Sequence, residues 1–297
     1  MSLHRGDDLE DDFIPDDTVA LSDSEGNAEG HTHDIEQLLS ADEEYAAAAK
    51  SQSDGISDKK RKRREKHKEK KAKRRKLEES AESAEADYIA ARSPAALAEY
   101  LSSAQAKSLS RLSTLELQDR AIPENSLADT TQWKGLRTLD RLEDFIISAV
   151  PSLHTRLSQR TKSPGSPTLL FITGAALRVT DVTRVLRSKK LRGEKGGEVA
   201  KLFAKHFKLQ EHVAYLKKTK VGSAVGTPSR IGKLLCDTDA LTVSALSHIV
   251  LDISYQDAKK RNLLDIPETR DEVFKTVLAA PLVLEGIKSG KIQVVLF

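Results

Sequence analysis

Residues 225–230 read Val-Gly-Thr-Pro-Ser-Arg, and residues 249–252 read Ile-Val-Leu-Asp. These two strings hold the residue types best suited to chemistry in this chain. In the first, the ring of Pro228 presets the opening turn of a helix and Thr227 stands where a capping hydroxyl belongs. The free amides of that turn favour an anion, and Arg230 has the reach to fork onto a phosphate. Gly226, Thr227, Pro228, Ser229 and Arg230 therefore form a candidate anion grip, with a plain cap before a surface helix as the alternative. In the second string an apolar run ends on the carboxylate of Asp252, the position from which nucleotide-hydrolysing folds hold a metal. The chain continues as Ile253-Ser254-Tyr255 with no second carboxylate, so Asp252 reads as a remnant, a cap or an ion-pair partner.

Other catalytic patterns are missing from the sequence. A nucleotide motor needs a glycine-rich loop that ends in Lys and a Ser or Thr. The nearest string, Gly226 to Lys233, has five residues between its glycines instead of four, and Leu234 takes the place of the hydroxyl residue. No such loop occurs between residues 93 and 168. There is no Gly-x-Ser-x-Gly elbow and no His-Glu-x-x-His pair among the eight histidines. His31 and His33 sit in an acidic stretch and read as solvated residues. The lone Cys236 excludes a disulfide framework and is expected to be a small buried hydrophobe. No catalytic residue, metal or cofactor is expected.

The elements that must position Thr227 and Asp252 follow from periodicity. Ser93-Pro94 reads as a helix start, and Leu139 to Val150 mark one face of an amphipathic helix. Short apolar runs at residues 169–173, 212–216, 223–226, 247–252 and 292–297 read as strands. Residues 181–187, 198–207 and 271–287 read as helices, with a helical turn at 231–235 and irregular structure over 113–135. Such alternation predicts an α/β fold with a mainly parallel sheet over 93–297, and ligands at the carboxyl ends of its strands.

Charge divides the remainder. Between Asp7 and Glu44 every charged residue is acidic, whereas fourteen of the eighteen residues from Lys59 to Lys76 are Lys or Arg. Like-charge blocks bury little apolar surface, so 1–58 is expected to be an acidic disordered tail and 59–92 a basic disordered arm. The arm carries Lys59, Lys60, Arg61, Lys62, Arg63 and Arg64, then Lys73, Arg74, Arg75 and Lys76. That composition suits a nuclear import receptor, a nucleic-acid backbone, or both. No apolar run approaches the length of a membrane span, and no secretory signal is read at the amino terminus.

Taken together, Val225-Gly-Thr-Pro-Ser-Arg and His248-Ile-Val-Leu-Asp resemble two elements of DEAD-box RNA helicases: a Thr-Pro-Gly-Arg grip on RNA and a Val-Leu-Asp-Glu-Ala-Asp strand end. Arg178, in Thr-Gly-Ala-Ala-Leu-Arg, loosely matches a further RNA-contacting element, with a plain surface arginine as the alternative. Adding Leu115-Glu-Leu-Gln-Asp, Ile122-Pro-Glu-Asn and Leu169-Leu-Phe-Ile-Thr, the region from Ser93 to Phe297 resembles the Cms family of eukaryotic pre-ribosomal proteins. The resemblance implies a degenerate RecA-like helicase lobe in a nuclear, nucleolar setting, with a role in small-subunit biogenesis. It also implies pre-ribosomal RNA or snoRNA and small-subunit assembly factors as partners, with no membrane. A helicase lobe normally continues into a second one; with Phe297 as the last residue, a single lobe without an inter-domain cleft is expected.

Overall fold

The computed structural model describes residues 88–297 apart from His206. The acidic tail and the basic arm, with His31, His33 and Lys59 to Lys76, lie outside the described residues. Five strands form one sheet: β1 (Leu169–Ile172), β2 (Glu198–Leu202), β3 (Val221–Gly226), β4 (His248–Leu251) and β5 (Gln293–Leu296). Their order is β2-β3-β1-β4-β5, and every neighbouring pair is parallel. The α/β class expected from the sequence is the class found.

Parallel strands need both faces covered, because each crossover lays a helix on the sheet. All residues of β1, β3 and β4 are accordingly buried. Alternation divides them between two cores. Leu170, Ile172, Ala224, Ile249 and Leu251 pack beneath α1 (Pro94–Ser108), α7 (Leu209–Lys218), α8 (Pro228–Cys236) and α10 (Pro281–Lys288). Leu169, Phe171, Val225 and Val250 pack beneath α3 (Leu142–Ala149), α4 (Pro151–Leu157) and α5 (Ala176–Leu186). Phe145 and Phe297 meet at 4.9 Å between ring centroids and tie α3 to the end of β5.

Two expected elements have exchanged type. Residues 198–207, read as a helix, open instead with strand β2, and 212–216, read as a strand, lie in helix α7. Glu198 and Lys201 mimic a helical i,i+3 pair, yet Val199 to Leu202 are buried on both faces of the sheet. The run Val213-Ala-Tyr-Leu216 has strand-forming residues, but Glu211 accepts from the Lys208 amide at 2.8 Å and nucleates a helix end. The helix expected over 271–287 is interrupted. α9 (Pro267–Glu272) runs into a π-helical turn (Val273–Val277), and Pro281, which has no amide hydrogen to donate, starts α10.

Shorter helices join these elements among the described residues. Within the stretch expected to be irregular, α2 (Thr114–Asp119) is fixed by a reciprocal cap between Ser113 and Glu116. A four-residue helix, α6 (Lys189–Arg192), precedes β2. Packing also begins before Ser93: Ile89–Ala91 forms a 3-10 turn, and Ala90 is fully buried.

Candidate nucleic-acid interface

Backbone hydrogen bonds draw the three expected strand ends together. The Thr173 amide donates to the Gly226 carbonyl at 3.1 Å, and the Asp252 amide donates to Ile172 at 2.9 Å. α5 leaves β1 across one face of the sheet and α8 leaves β3 across the other, so their first turns diverge at this carboxyl end, the end at which open α/β sheets take ligands.

Asp252 is fully buried there, and its charge is met from within the chain. Arg178 Nε donates to its Oδ2 at 2.8 Å, and Nη2 of the same guanidinium donates to Oδ1 at 3.4 Å and to Ser254 Oγ at 2.9 Å. The Ser254 hydroxyl donates to Oδ1 at 2.7 Å, and the Tyr255 amide donates to it at 3.3 Å. Both carboxylate oxygens are thus committed to protein donors. Of the readings open for Asp252, the ion-pair partner is the one found. The Arg178 side chain is only 10% exposed and lies 5.7 Å from the centre of the Tyr255 ring. Its surface-arginine alternative does not hold: the guanidinium is turned inward onto Asp252.

Two residues of this cluster escaped the sequence reading. Tyr88 lies in the stretch expected to be a disordered arm; burial, with Asp252 as the second cause, pushes its hydroxyl well above the ordinary phenol range. Arg137 donates to the Leu296 carbonyl at 3.1 Å and to Thr130 Oγ1 at 2.9 Å, with its guanidinium over the Phe145 ring. Just upstream, Leu127 makes one isolated parallel bridge to Val294, which leads the chain across the edge of β5. The only sequence signal for Arg137 is a cation placed shortly before an amphipathic helix. Tyr88 has none.

The Gly226–Arg230 segment is placed as expected in one respect and not in another. Pro228 occupies the first turn of α8, and Thr227 holds the N-cap position without a side-chain capping bond. Thr227 and Ser229 are half-buried at the rim. A Cβ on Gly226 would fall 2.3 Å from the Leu202 carbonyl oxygen, so close strand packing by itself requires glycine at this position. Arg230 is buried, at 7% exposure, and does not point outward as a phosphate fork. Its Nη2 donates to the Phe207 carbonyl at 2.8 Å, and its Nη1 meets His212 Nδ1 at 3.2 Å. It joins α8 to the segment entering α7. Arg230→Ala is therefore expected to lower stability by about 1.5–3 kcal/mol in urea denaturation, from the loss of a charged hydrogen bond.

Cys236 corrects another expectation: it is exposed. It follows Leu234 by two positions, which turns it to the opposite side of α8, and its thiol donates to the Thr276 carbonyl at 3.3 Å. Among the described residues no three His, Cys, Asp or Glu side chains gather as metal ligands. No helix there is long and apolar enough to cross a membrane.

A family model described as "CMS1: U3-containing 90S pre-ribosomal complex subunit" matches residues 42–297. Protein CMS1 of Chaetomium thermophilum is 40% identical over 184 residues, 62% of this chain and 71% of that protein. Protein cms1 of Schizosaccharomyces pombe is 30% identical over 203 residues, 68% and 69% of the two chains. Human Protein CMSS1 is 33% identical over 184 residues, 61% and 62% of the two. Among solved structures, a DEAD box protein from the hyperthermophile Methanococcus jannaschii has a TM-score of 0.35 at 16% identity, covering 55% of this chain and 37% of that one. The yeast DEAD-box splicing factor Prp28 has a TM-score of 0.34 at 14% identity, covering 56% and 34%.

Proposed function

We propose, from the premise that this chain belongs to the CMS1 family of U3-containing 90S pre-ribosomal complex subunits, that it is a non-catalytic RNA- and protein-binding subunit of that early particle. The family gives it a part in ribosome biogenesis, and the setting that follows is the nucleus and its nucleolus. The single observation carrying the non-catalytic reading is the closed Asp252–Arg178 pair. A carboxylate that holds a metal or orients water needs free lone pairs toward the reacting phosphate. At Asp252 Oδ1 accepts from Arg178, Ser254 and the Tyr255 amide, Oδ2 accepts from Arg178, and the whole carboxylate is buried.

The same reading gives the other parts their roles. The half-buried Thr227 and Ser229, beside the buried Gly226, offer a folded contact at the carboxyl end of β3, and a dense cationic arm over residues 59–76 supplies sequence-independent attraction to RNA and a recognition signal for an import receptor. Ribosomal precursor RNA or snoRNA and small-subunit assembly factors are the partners. Ultraviolet cross-linking of the native protein in nuclei tests this. Recovered RNA should be ribosomal precursor or snoRNA, and recovery of mature messages alone would contradict the assignment.

A further inference from the structure

We propose that the amino end of the sheet, opposite Thr227 and Asp252, is a second phosphate-binding surface that grips the backbone of RNA; this rests on the reading that the chain binds RNA. Two adjoining hollows lie there. One, of about 360 Å³, is walled by Arg156, Arg160 and Lys162 together with the hydroxyl residues Ser163, Ser166 and Thr168. The other, of about 800 Å³, shares Arg160 and adds Arg192, Lys195, Lys218 and Lys220. All these cations are exposed except Arg192, which is half-buried.

Seven cationic side chains thus face two carboxylates, Glu194 and Glu198, and Arg192 approaches Glu198 at 3.4 Å. Like charges in such excess over their counter-charges work against a compact fold, and a polyanion offsets that cost. The walls are also tied to the sheet and to one another. Gly165, at φ +61°, donates to the Thr219 carbonyl at 3.0 Å and accepts from the Thr242 amide at 2.8 Å. The Ser166 and Ser244 hydroxyls share a bond of 2.7 Å, and Ser166 Oγ also accepts from the Ala245 amide at 2.9 Å. Gly197 lies so close to Gly222 that a Cβ would sit 2.4 Å from its nitrogen. The cations are therefore carried on α4, α6, α7 and on loops hydrogen-bonded to the sheet, a preorganised arrangement that lowers the cost of binding.

The lining points to RNA backbone over a protein partner. Cations and hydroxyls suit phosphate oxygens and sugar hydroxyls. Neither hollow is lined by an aromatic ring on which a base could stack or by the apolar pocket that anchors a protein hot spot. Sequence-independent grip is the function such a lining serves.

The test uses the full chain carrying Arg160→Glu, Lys162→Glu and Lys220→Glu, all at exposed positions. Affinity for single-stranded RNA should fall at least tenfold, and the slope of log K against log salt should lose about 2. Cross-linked peptides from the unaltered chain should include residues 156–168 or 192–220, an observation that stands even if the variant folds poorly. Unchanged affinity, with cross-links confined to 59–76 or 226–230, would overturn this surface and leave the RNA reading intact. Failure of the unaltered chain to bind RNA would remove both. Cross-links from these loops to protein alone would also overturn the proposal.

Discussion

Arg178→Ala is expected to lower the unfolding free energy by about 3–5 kcal/mol, because it strands a buried carboxylate. Asp252 is fully buried, and two of its hydrogen bonds come from the Arg178 guanidinium. Adding Asp252→Asn to an Arg178→Met chain should restore much of that loss: the carboxamide carries no charge, keeps an acceptor for the Tyr255 amide, and the thioether fills the space. Urea denaturation followed by the fluorescence of Trp133 measures all three chains. A helicase-type RNA contact at Arg178 predicts a different pattern. Stability would then hold in Arg178→Ala while RNA affinity fell.

The second large effect is acid sensitivity. His212 and His248 are both buried, and each ring is held down to about 4. Burial is the main cause in both cases, followed by the charge of Arg230 for His212 and of Arg156 for His248. An unfolded chain takes up a proton on each ring near 6.5, whereas the folded chain resists until about 4. Stability from these rings is therefore whole above about pH 6.5 and is lost as the pH falls toward 4, by about 3 kcal/mol for each ring. His212→Gln should roughly halve the dependence over that window. A flat stability profile between pH 6.5 and 4.5 would contradict the buried neutral imidazoles.

How much of this was legible in the sequence depended on how local each signal was. β1, β3 and β4 are apolar runs ended by Gly174, Gly226 and Asp252, and their composition was enough to read them. The local patterns of β2 and α7 are ambiguous between helix and strand. Glu198 to Leu202 becomes a strand only by pairing with β3, a non-local fact that no window of sequence contains. The candidate site divides in the same way. Pro228 at a helix start was visible from its ring, and the two strand ends were visible from their apolar runs. The direction of the Arg178 and Arg230 side chains was not. Each is separated in sequence from the group it meets, Asp252 by 74 residues and His212 by 18. The cationic hollows at the amino end draw on α4, α6, α7 and the loops beside them, so their charge is diluted along the chain and gathered only by folding.

The closed pair at Asp252 and the cationic surfaces together support the proposal that this chain holds RNA without a nucleotide cycle. The direct measurement is an RNA titration of the purified full chain with and without magnesium ATP, followed for phosphate release in the same samples. The account predicts one affinity in both conditions and no release above the rate of the buffer. An affinity that changes with ATP, or phosphate release stimulated by RNA, would contradict it.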